Sequence, residues 1–191
     1  YMEYQATLEG YQAVDFDDLI RLPLKLLRQD EEARRLWQEK LRYFLVDEYQ
    51  DTNVAQYALL KELVGNRTGL TAVGDDDQSI YRFRGAEVQN ILTFRKKFPG
   101  TKIIKLVRNY RSTGKILAAA DAVVQNNEDR IGKTLKAERG KGKQPMLVYL
   151  PDQDAEARFC AELIEKAREE TKTPYGDWAI LYRTNAQSLG F

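Results

Sequence analysis

Apolar positions along the chain switch repeatedly between a spacing of three to four and short unbroken runs, which predicts alternating helices and strands. Asp15 can cap a helix whose apolar face is Phe16, Leu19, Ile20, Leu24 and Leu27. Pro23 lies inside that stretch and predicts a kink or a split. A polar helix follows over about residues 31–40. Residues 43–46 are continuously apolar rather than alternating, the pattern of a strand buried on both faces. Val54, Tyr57, Ala58, Leu60, Leu63 and Val64 trace the next helix, stopped by Gly65. Residues 70–73 read as a second short strand ending at Gly74, and Val88, Ile91, Leu92, Arg95 and Phe98 keep helical spacing up to Pro99-Gly100. A third strand is expected over 103–106, then a helix capped by Ser112 or Thr113 and bearing Ile116, Leu117, Ala120, Val123 and Val124. From Asn126 to Pro145 apolar residues thin out and glycines alternate with Lys and Arg, so this stretch reads as a loop. Strands over 146–150 and 178–182 flank a last helix marked by Ala155, Phe159, Leu163, Ile164 and Ala167. Strands alternating with helices predict an α/β fold of parallel units joined by right-handed crossovers.

Composition narrows the chemistry. The 191 residues suffice for one large domain or two small ones, and the formal net charge of +1 makes any nucleic-acid contact a local matter. The chain has no histidine, which excludes Ser-His-Asp and Cys-His catalysis and His-ligated metals. A single cysteine, Cys160, excludes internal disulfides and paired-cysteine sites. No apolar run approaches the ~18 residues of a membrane span, and no charged-then-apolar leader opens the chain, so the expected setting is a reducing cytoplasm with no membrane partner. The chain starts at Tyr1 rather than Met, so a piece of something longer is expected.

Four polar clusters fall at strand ends. Residues 43–46 run into Asp47-Glu48-Tyr49-Gln50-Asp51-Thr52. Ligands of open α/β sheets bind beyond the carboxyl ends of strands, where one carboxylate can hold Mg²⁺ and its neighbour can activate water. The same pattern also fits an apolar strand that reaches solvent through an acidic loop. Residues 70–73 run into Gly74-Asp75-Asp76-Asp77-Gln78-Ser79, and Gln78 can both donate and accept around a phosphate and its water. Tyr81 and Phe83 then alternate with Arg82 and Arg84; in an extended chain the rings face one way for bases and the guanidinium groups the other way for phosphates. An ordinary turn with two half-buried rings is the alternative. Val107-Arg108-Asn109-Tyr110-Arg111-Ser112 leads from a strand into a helix, where an arginine can point into a cleft or pair with a surface carboxylate. Arg183, Asn185 and Gln187 follow residues 178–182, as phosphate contacts or as solvated loop residues.

Taken in order, Asp47-Glu48-Tyr49-Gln50-Asp51-Thr52, the run from Gly74 through Gln78, Tyr81, Phe83 and Arg84 to Ala86, Asn109-Tyr110-Arg111-Ser112, and Leu181 through Ser188 resemble the Rep/UvrD/PcrA group of superfamily 1 DNA helicases, and within it the Rep branch. Residues 14–19 also match a segment that precedes the Walker B strand in that family. Gln50 in the tetrad sets the chain apart from superfamily 2 RNA helicases, which usually carry Asp or His there. The resemblance covers nearly the whole chain. It implies RecA-like motor domains: residues 1–13 ending an insertion, 14–107 the later part of the first motor domain, and 108–191 the start of the second. It also implies that Asp47 binds the Mg²⁺ of MgATP, that Glu48 activates the hydrolytic water, and that Gln78 senses the γ-phosphate. Tyr110 is then placed at the adenine and Arg111 as the arginine finger. Tyr81, Phe83, Arg84, Arg183 and Asn185 become contacts to single-stranded DNA. Phe83 stands where relatives often carry Trp, which reduces stacking area. Leu189 departs from the Arg expected after Gln-Ser. Phe16 is explained equally by a place near DNA and by core packing.

The resemblance implies an ATP-driven translocase on single-stranded DNA that opens duplex junctions with 3′-to-5′ polarity, alongside replication or repair proteins. A helicase-like binding module without turnover and the helicase part of a helicase-nuclease are the alternatives. The 191 residues contain no G-x-x-x-x-G-K-[ST] phosphate loop, so negligible hydrolysis by these residues alone is expected. The basic stretch with Lys133, Lys136, Arg139, Lys141 and Lys143 reads either as a DNA contact or as a solvated connection.

Overall fold

A computed structural model describes residues 1–191, every position of the chain. They divide into two units, Tyr1–Lys143 and Gln144–Phe191. The first unit is organised on two parallel strands, β1 (Phe44–Val46) and β2 (Leu70–Ala72), paired in the register Phe44 to Leu70 and Val46 to Ala72. Pairing continues past the strand ends: the Val73 N–H donates to the Val46 carbonyl (2.8 Å) and the Tyr49 N–H to the Val73 carbonyl (2.9 Å).

Ahead of the strands lie α1 (Met2–Gly10), α2 (Asp18–Gln29) and α3 (Glu31–Lys40). The α1 helix was invisible to periodicity, because Met2, Tyr4, Ala6 and Leu8 alternate like a strand and none is buried. Asp15 caps α2 from a distance, its Oδ1 accepting the Asp18 N–H at 2.8 Å. Pro23 does not split α2, which runs on for two turns past it; only the hydrogen bond to the Leu19 carbonyl is forgone. The polar α3 is capped by Asp30, whose Oδ1 accepts from Ala33 N–H.

Between the strands, α4 (Val54–Val64) begins at a reciprocal cap in which Asn53 and Gln56 each accept the other's backbone N–H, and it ends at Gly65 with a positive φ of 59°. Its inner residues Leu60 and Val64 join Tyr49, which is 0% exposed, as the core. Phe44, Val46, Leu70 and Ala72 pack on this core from the sheet. Ile91, Phe94 and Phe98 reach it from and just beyond the short helices α5 (Gln89–Leu92) and α6 (Phe94–Lys97). The Tyr49 and Phe94 rings meet edge-on at 5.2 Å, a pairing worth roughly 0.5–1.5 kcal/mol beyond the area buried.

Only one face of the sheet is covered. Leu45 is 75% exposed, so residues 43–46 are not the doubly buried strand that their unbroken apolar run predicted. The expected helix over 88–98 is broken at Thr93 into α5 and α6. The expected strand at 103–106 is absent, and pairing starts two residues later. There β3 (Arg108–Asn109) lies parallel to β4 (Lys136–Ala137), inside the stretch read as a loop. Between them runs α7 (Gly114–Val124), with Thr113 at its N-cap.

The second unit carries one long helix, α8 (Gln153–Thr171), capped by Asp152 through the Ala155 N–H at 2.7 Å. Residues 146–150 and 178–182, both expected as strands, pair with nothing, and Leu181 is 94% exposed. A strand exists only through the ladder it shares with a neighbour, so apolar, β-prone residues without such a neighbour stay unladdered.

Candidate functional site

The two strands deliver two acidic loops to one edge of the sheet. Directly after β1, Asp47 and Glu48 are exposed, whereas Tyr49 and Gln50 are buried. Glu48 makes this reversal by adopting a left-handed backbone (φ 48°, ψ 41°), which costs a non-glycine residue roughly 1–2 kcal/mol. The chain then enters a tight turn over Tyr49–Asp51. Its far side is held by buried Asn90, whose Nδ2 donates to the Thr52 carbonyl (3.1 Å) and hydroxyl (3.2 Å) while its Oδ1 accepts from Lys97 Nζ (2.8 Å).

Directly after β2, Asp75 opens a second turn, Asp76–Gln78, by accepting the Asp77 N–H at 3.1 Å. Its other oxygen accepts from Gln78 Nε2 at 2.9 Å. Burial pushes the Asp75 carboxyl upward, but the Lys133 ammonium at 2.5 Å, the Gln78 amide and the Asp77 N–H outweigh it and hold the group below the usual carboxylate range. Gln50 joins the two loops. Its Nε2 donates to Glu48 Oε2 (2.8 Å) and its Oε1 accepts the Asp75 N–H (3.0 Å). A chain of hydrogen bonds therefore runs from Glu48 through Gln50 and Asp75 to Gln78.

A third segment clasps this edge. Arg130 Nη2 donates to Asp77 Oδ2 (2.7 Å), the Ile131 N–H to Asp76 Oδ2 (2.6 Å), and Lys133 pairs with Asp75. Lys133 thus does not lie in a solvated connection: it turns inward and pairs with Asp75. Arg139 is likewise engaged, donating to the Arg111 carbonyl at 2.9 Å.

Residues Arg82–Arg84 form a tight turn rather than an extended run, so rings and guanidinium groups do not separate onto two faces. The Tyr81 and Phe83 rings lie 6.0 Å apart, and Arg84 sits over both, at 5.5 and 5.6 Å. All three side chains remain exposed. A cavity of about 260 Å³ opens beside them, lined by Asp51, Asn53, Gln56, Tyr81, Arg84 and Ala86. Phe16 is 89% exposed and packs in no core formed by these residues.

Tyr110 and Arg111 are exposed on the turn between β3 and α7. Asn109 shapes that turn by accepting the N–H groups of Arg111 (3.0 Å) and Ser112 (2.8 Å). The Arg111 guanidinium has no carboxylate partner. In the second unit, Arg183 and Asn185 are exposed around a turn organised by Gln187, whose Oε1 accepts the N–H groups of Arg183 and Thr184, both at 2.9 Å.

The donor set suits a metal that brings its own ligands. Asp47 uses Oδ1 to accept the Glu48 N–H (2.9 Å), and its second oxygen has no partner. No cluster of three or more Asp, Glu, His or Cys forms a cage. One free carboxylate beside solvent fits Mg²⁺, which keeps waters and phosphate oxygens as most of its shell.

Fold and site thus define an α/β protein with polar loops gathered at the carboxyl edge of parallel strands. Residues 1–99 match the UvrD/REP helicase N-terminal domain, and residues 104–191 match the UvrD-like helicase C-terminal domain. The chain belongs to the UvrD/REP helicase family. It is 50% identical over 192 residues to the ATP-dependent DNA helicase Rep of Escherichia coli (strain K12), a match covering 100% of this chain and 28% of that relative. It is 45% identical over 188 residues to the ATP-dependent DNA helicase PcrA of Bacillus subtilis (strain 168), covering 98% of this chain and 25% of the relative. A probable DNA helicase II homolog of Rickettsia conorii is 46% identical over 191 residues, covering 100% and 29%. The chain therefore spans little more than a quarter of the length of these curated relatives. No helix is long and apolar enough to cross a membrane.

Proposed function

We propose that this chain is the central part of an ATP-driven translocase that moves along single-stranded DNA in the 3′-to-5′ direction and opens duplex junctions, in replication or repair. The observation that carries the reading is the shared edge where β1 and β2 deliver Asp47, Glu48 and Gln78, linked by hydrogen bonds. In this reading the fold is RecA-like, with residues 14–107 in the first motor domain, residues 108–191 in the second, and residues 1–13 ending an insertion. The two family matches, meeting between residues 99 and 104, support a boundary in that region.

Bound MgATP supplies the phosphoanhydride and the metal charge. Asp47, whose second carboxylate oxygen has no partner, would hold the metal. Glu48 accepts a proton from the attacking water, a role for which its exposed carboxylate is open to solvent. Gln78 reads the terminal phosphate. Tyr110 stacks on the adenine, and Arg111, whose guanidinium is not engaged in an ion pair, serves as the arginine finger. Phe83 and Tyr81 stack on bases and Arg84 meets the backbone, while Arg183 and Asn185 contact the same strand. The 191 residues alone hydrolyse ATP negligibly, because they carry no phosphate loop.

The test is ATP turnover by the full-length protein with saturating oligo(dT). Glu48→Gln is expected to lower turnover by about 10²- to 10⁴-fold while single-strand binding persists. Full turnover by that variant refutes the assignment of Glu48.

A further inference from the structure

Gln50 is 1% exposed, yet it carries a fully polar side chain at the junction of the two acidic loops. Chemistry settles which end of its amide is which. The Asp75 N–H can only donate, so Oε1 faces it at 3.0 Å. The carboxylates of Glu48 and Asp51 only accept, so Nε2 faces them at 2.8 and 3.3 Å. No other side chain of this length meets both demands. A carboxylate would set a third negative charge against Glu48 and Asp51, and an ammonium could not accept from Asp75. The close approach also depends on Gly74, where a Cβ would stand 2.7 Å from Gln50 Oε1.

Two consequences meet at this amide. The Glu48 carboxylate has no other hydrogen-bond partner, so Gln50 alone sets its direction. The Asp75 backbone that Gln50 grips begins the segment carrying Gln78, Tyr81, Phe83 and Arg84. We infer that Gln50 is a positioning residue that aims the Glu48 carboxylate and couples its aim to the position of the 75–84 segment. The inference rests on the reading of Glu48 as the group that activates water. A general base misaimed by about an ångström loses roughly 10²-fold, so a small shift of the segment is enough to gate turnover.

The test uses the full-length protein and three single variants. Gln50→Met keeps the length and removes all three side-chain hydrogen bonds. Gly74→Ala keeps the amide and crowds it together with the Ile91 side chain. Glu48→Gln is the reference. Turnover and KM for ATP are measured with and without saturating oligo(dT), alongside thermal unfolding. Gln50→Met and Gly74→Ala are each expected to lower DNA-stimulated kcat by roughly 10- to 100-fold. KM should stay within about threefold, and the ratio of stimulated to basal turnover should shrink. In a Glu48→Gln background, adding Gln50→Met is expected to cost less than about twofold more, because the carboxylate it aims is already gone.

A purely structural Gln50 would lower the unfolding temperature and leave kcat per active site and the stimulation ratio unchanged, which overturns the inference. A further tenfold loss in the double variant overturns it too. If Gln50→Met does not fold, Gly74→Ala decides by the same criteria. The two readings separate cleanly. Turnover surviving Glu48→Gln removes the role of Glu48 and the inference with it. Turnover lost in Glu48→Gln but kept in both Gln50→Met and Gly74→Ala removes the inference alone.

Discussion

The loops after β1 and β2 and the turns at 109–112 and 183–187 present side chains of similar type, but they hold them differently. Glu48, Asp75 and Gln78 are tied side chain to side chain or side chain to backbone, above a core centred on Tyr49. At the other two turns the hydrogen bonds hold the backbone, through Asn109 and Gln187, and leave Tyr110, Arg111, Arg183 and Asn185 exposed. The first arrangement is preorganised, and its geometry is set before any ligand arrives. The second leaves these four side chains without hydrogen-bond partners. Substitutions in the first should therefore disturb stability and chemistry together, and those in the second should disturb function alone.

The sharpest test of that contrast is Arg111→Ala in the full-length protein. As the arginine finger it should cost about 10³-fold or more in DNA-stimulated turnover. Because its guanidinium holds no carboxylate, the denaturant midpoint should not move. Near-normal turnover removes the assignment, and a large stability loss breaks the comparison.

The opposite side is probed at Tyr49. Tyr49→Ala empties the centre of the core and should destabilise by roughly 3–4 kcal/mol, read by denaturant unfolding. Its hydroxyl is buried without a partner, and burial pushes its pKa up to about 12. Tyr49→Phe removes that unsatisfied group and should leave stability unchanged or raise it by up to about 1 kcal/mol. A loss there of the size seen for alanine would mean that the hydroxyl is engaged.

Phe83→Ala sits between the two classes, since its ring touches Tyr81 and Arg84 but remains exposed. Single-strand affinity of the full-length protein, measured by fluorescence anisotropy, should fall by about 1–3 kcal/mol with no change in fold stability. Unchanged affinity moves base stacking elsewhere.

The smallest effect is acid dependence. Asp75 is held below its ordinary value in the folded protein, so the stability it contributes is present above the unfolded pKa of about 4. That contribution disappears as pH falls through the lower folded value. Asp75→Asn should flatten the decline of the unfolding midpoint below about pH 4 and leave its slope between pH 5 and 7 untouched. An unaltered acid slope would show that the clasp by Lys133 carries no such linkage.

Much of this could be read from the chain. The apolar stripes of α4, α7 and α8 predicted those helices, since each repeats over several turns, and α3 was expected from its polar run. The loops bearing Asp47, Glu48 and Gln78 were likewise marked by acidic runs at the ends of apolar strands. Gln50 was in view as a letter of the tetrad, but its role was not, because nothing in a sequence distinguishes a buried glutamine with three partners from an exposed one. The clasp was out of reach for another reason: Arg130 meets Asp77 across 53 residues, and a basic stretch looks the same whether it faces solvent or a buried carboxylate.

By itself, then, the sequence determined the local and periodic features of this protein: its α/β class, most helix positions, the acidic strand ends and the family to which they belong. These depend on interactions within a few residues, which spacing records directly. Only the tertiary structure decided which apolar runs become paired strands, since 44–46 found a partner in 70–72 while 103–106, 146–150 and 178–182 found none. It also decided that Gln50 joins the two loops and that Lys133 turns inward. Strand pairing and buried polar contacts are made between segments far apart in the chain, and their energy lies in the partner, which no single segment contains.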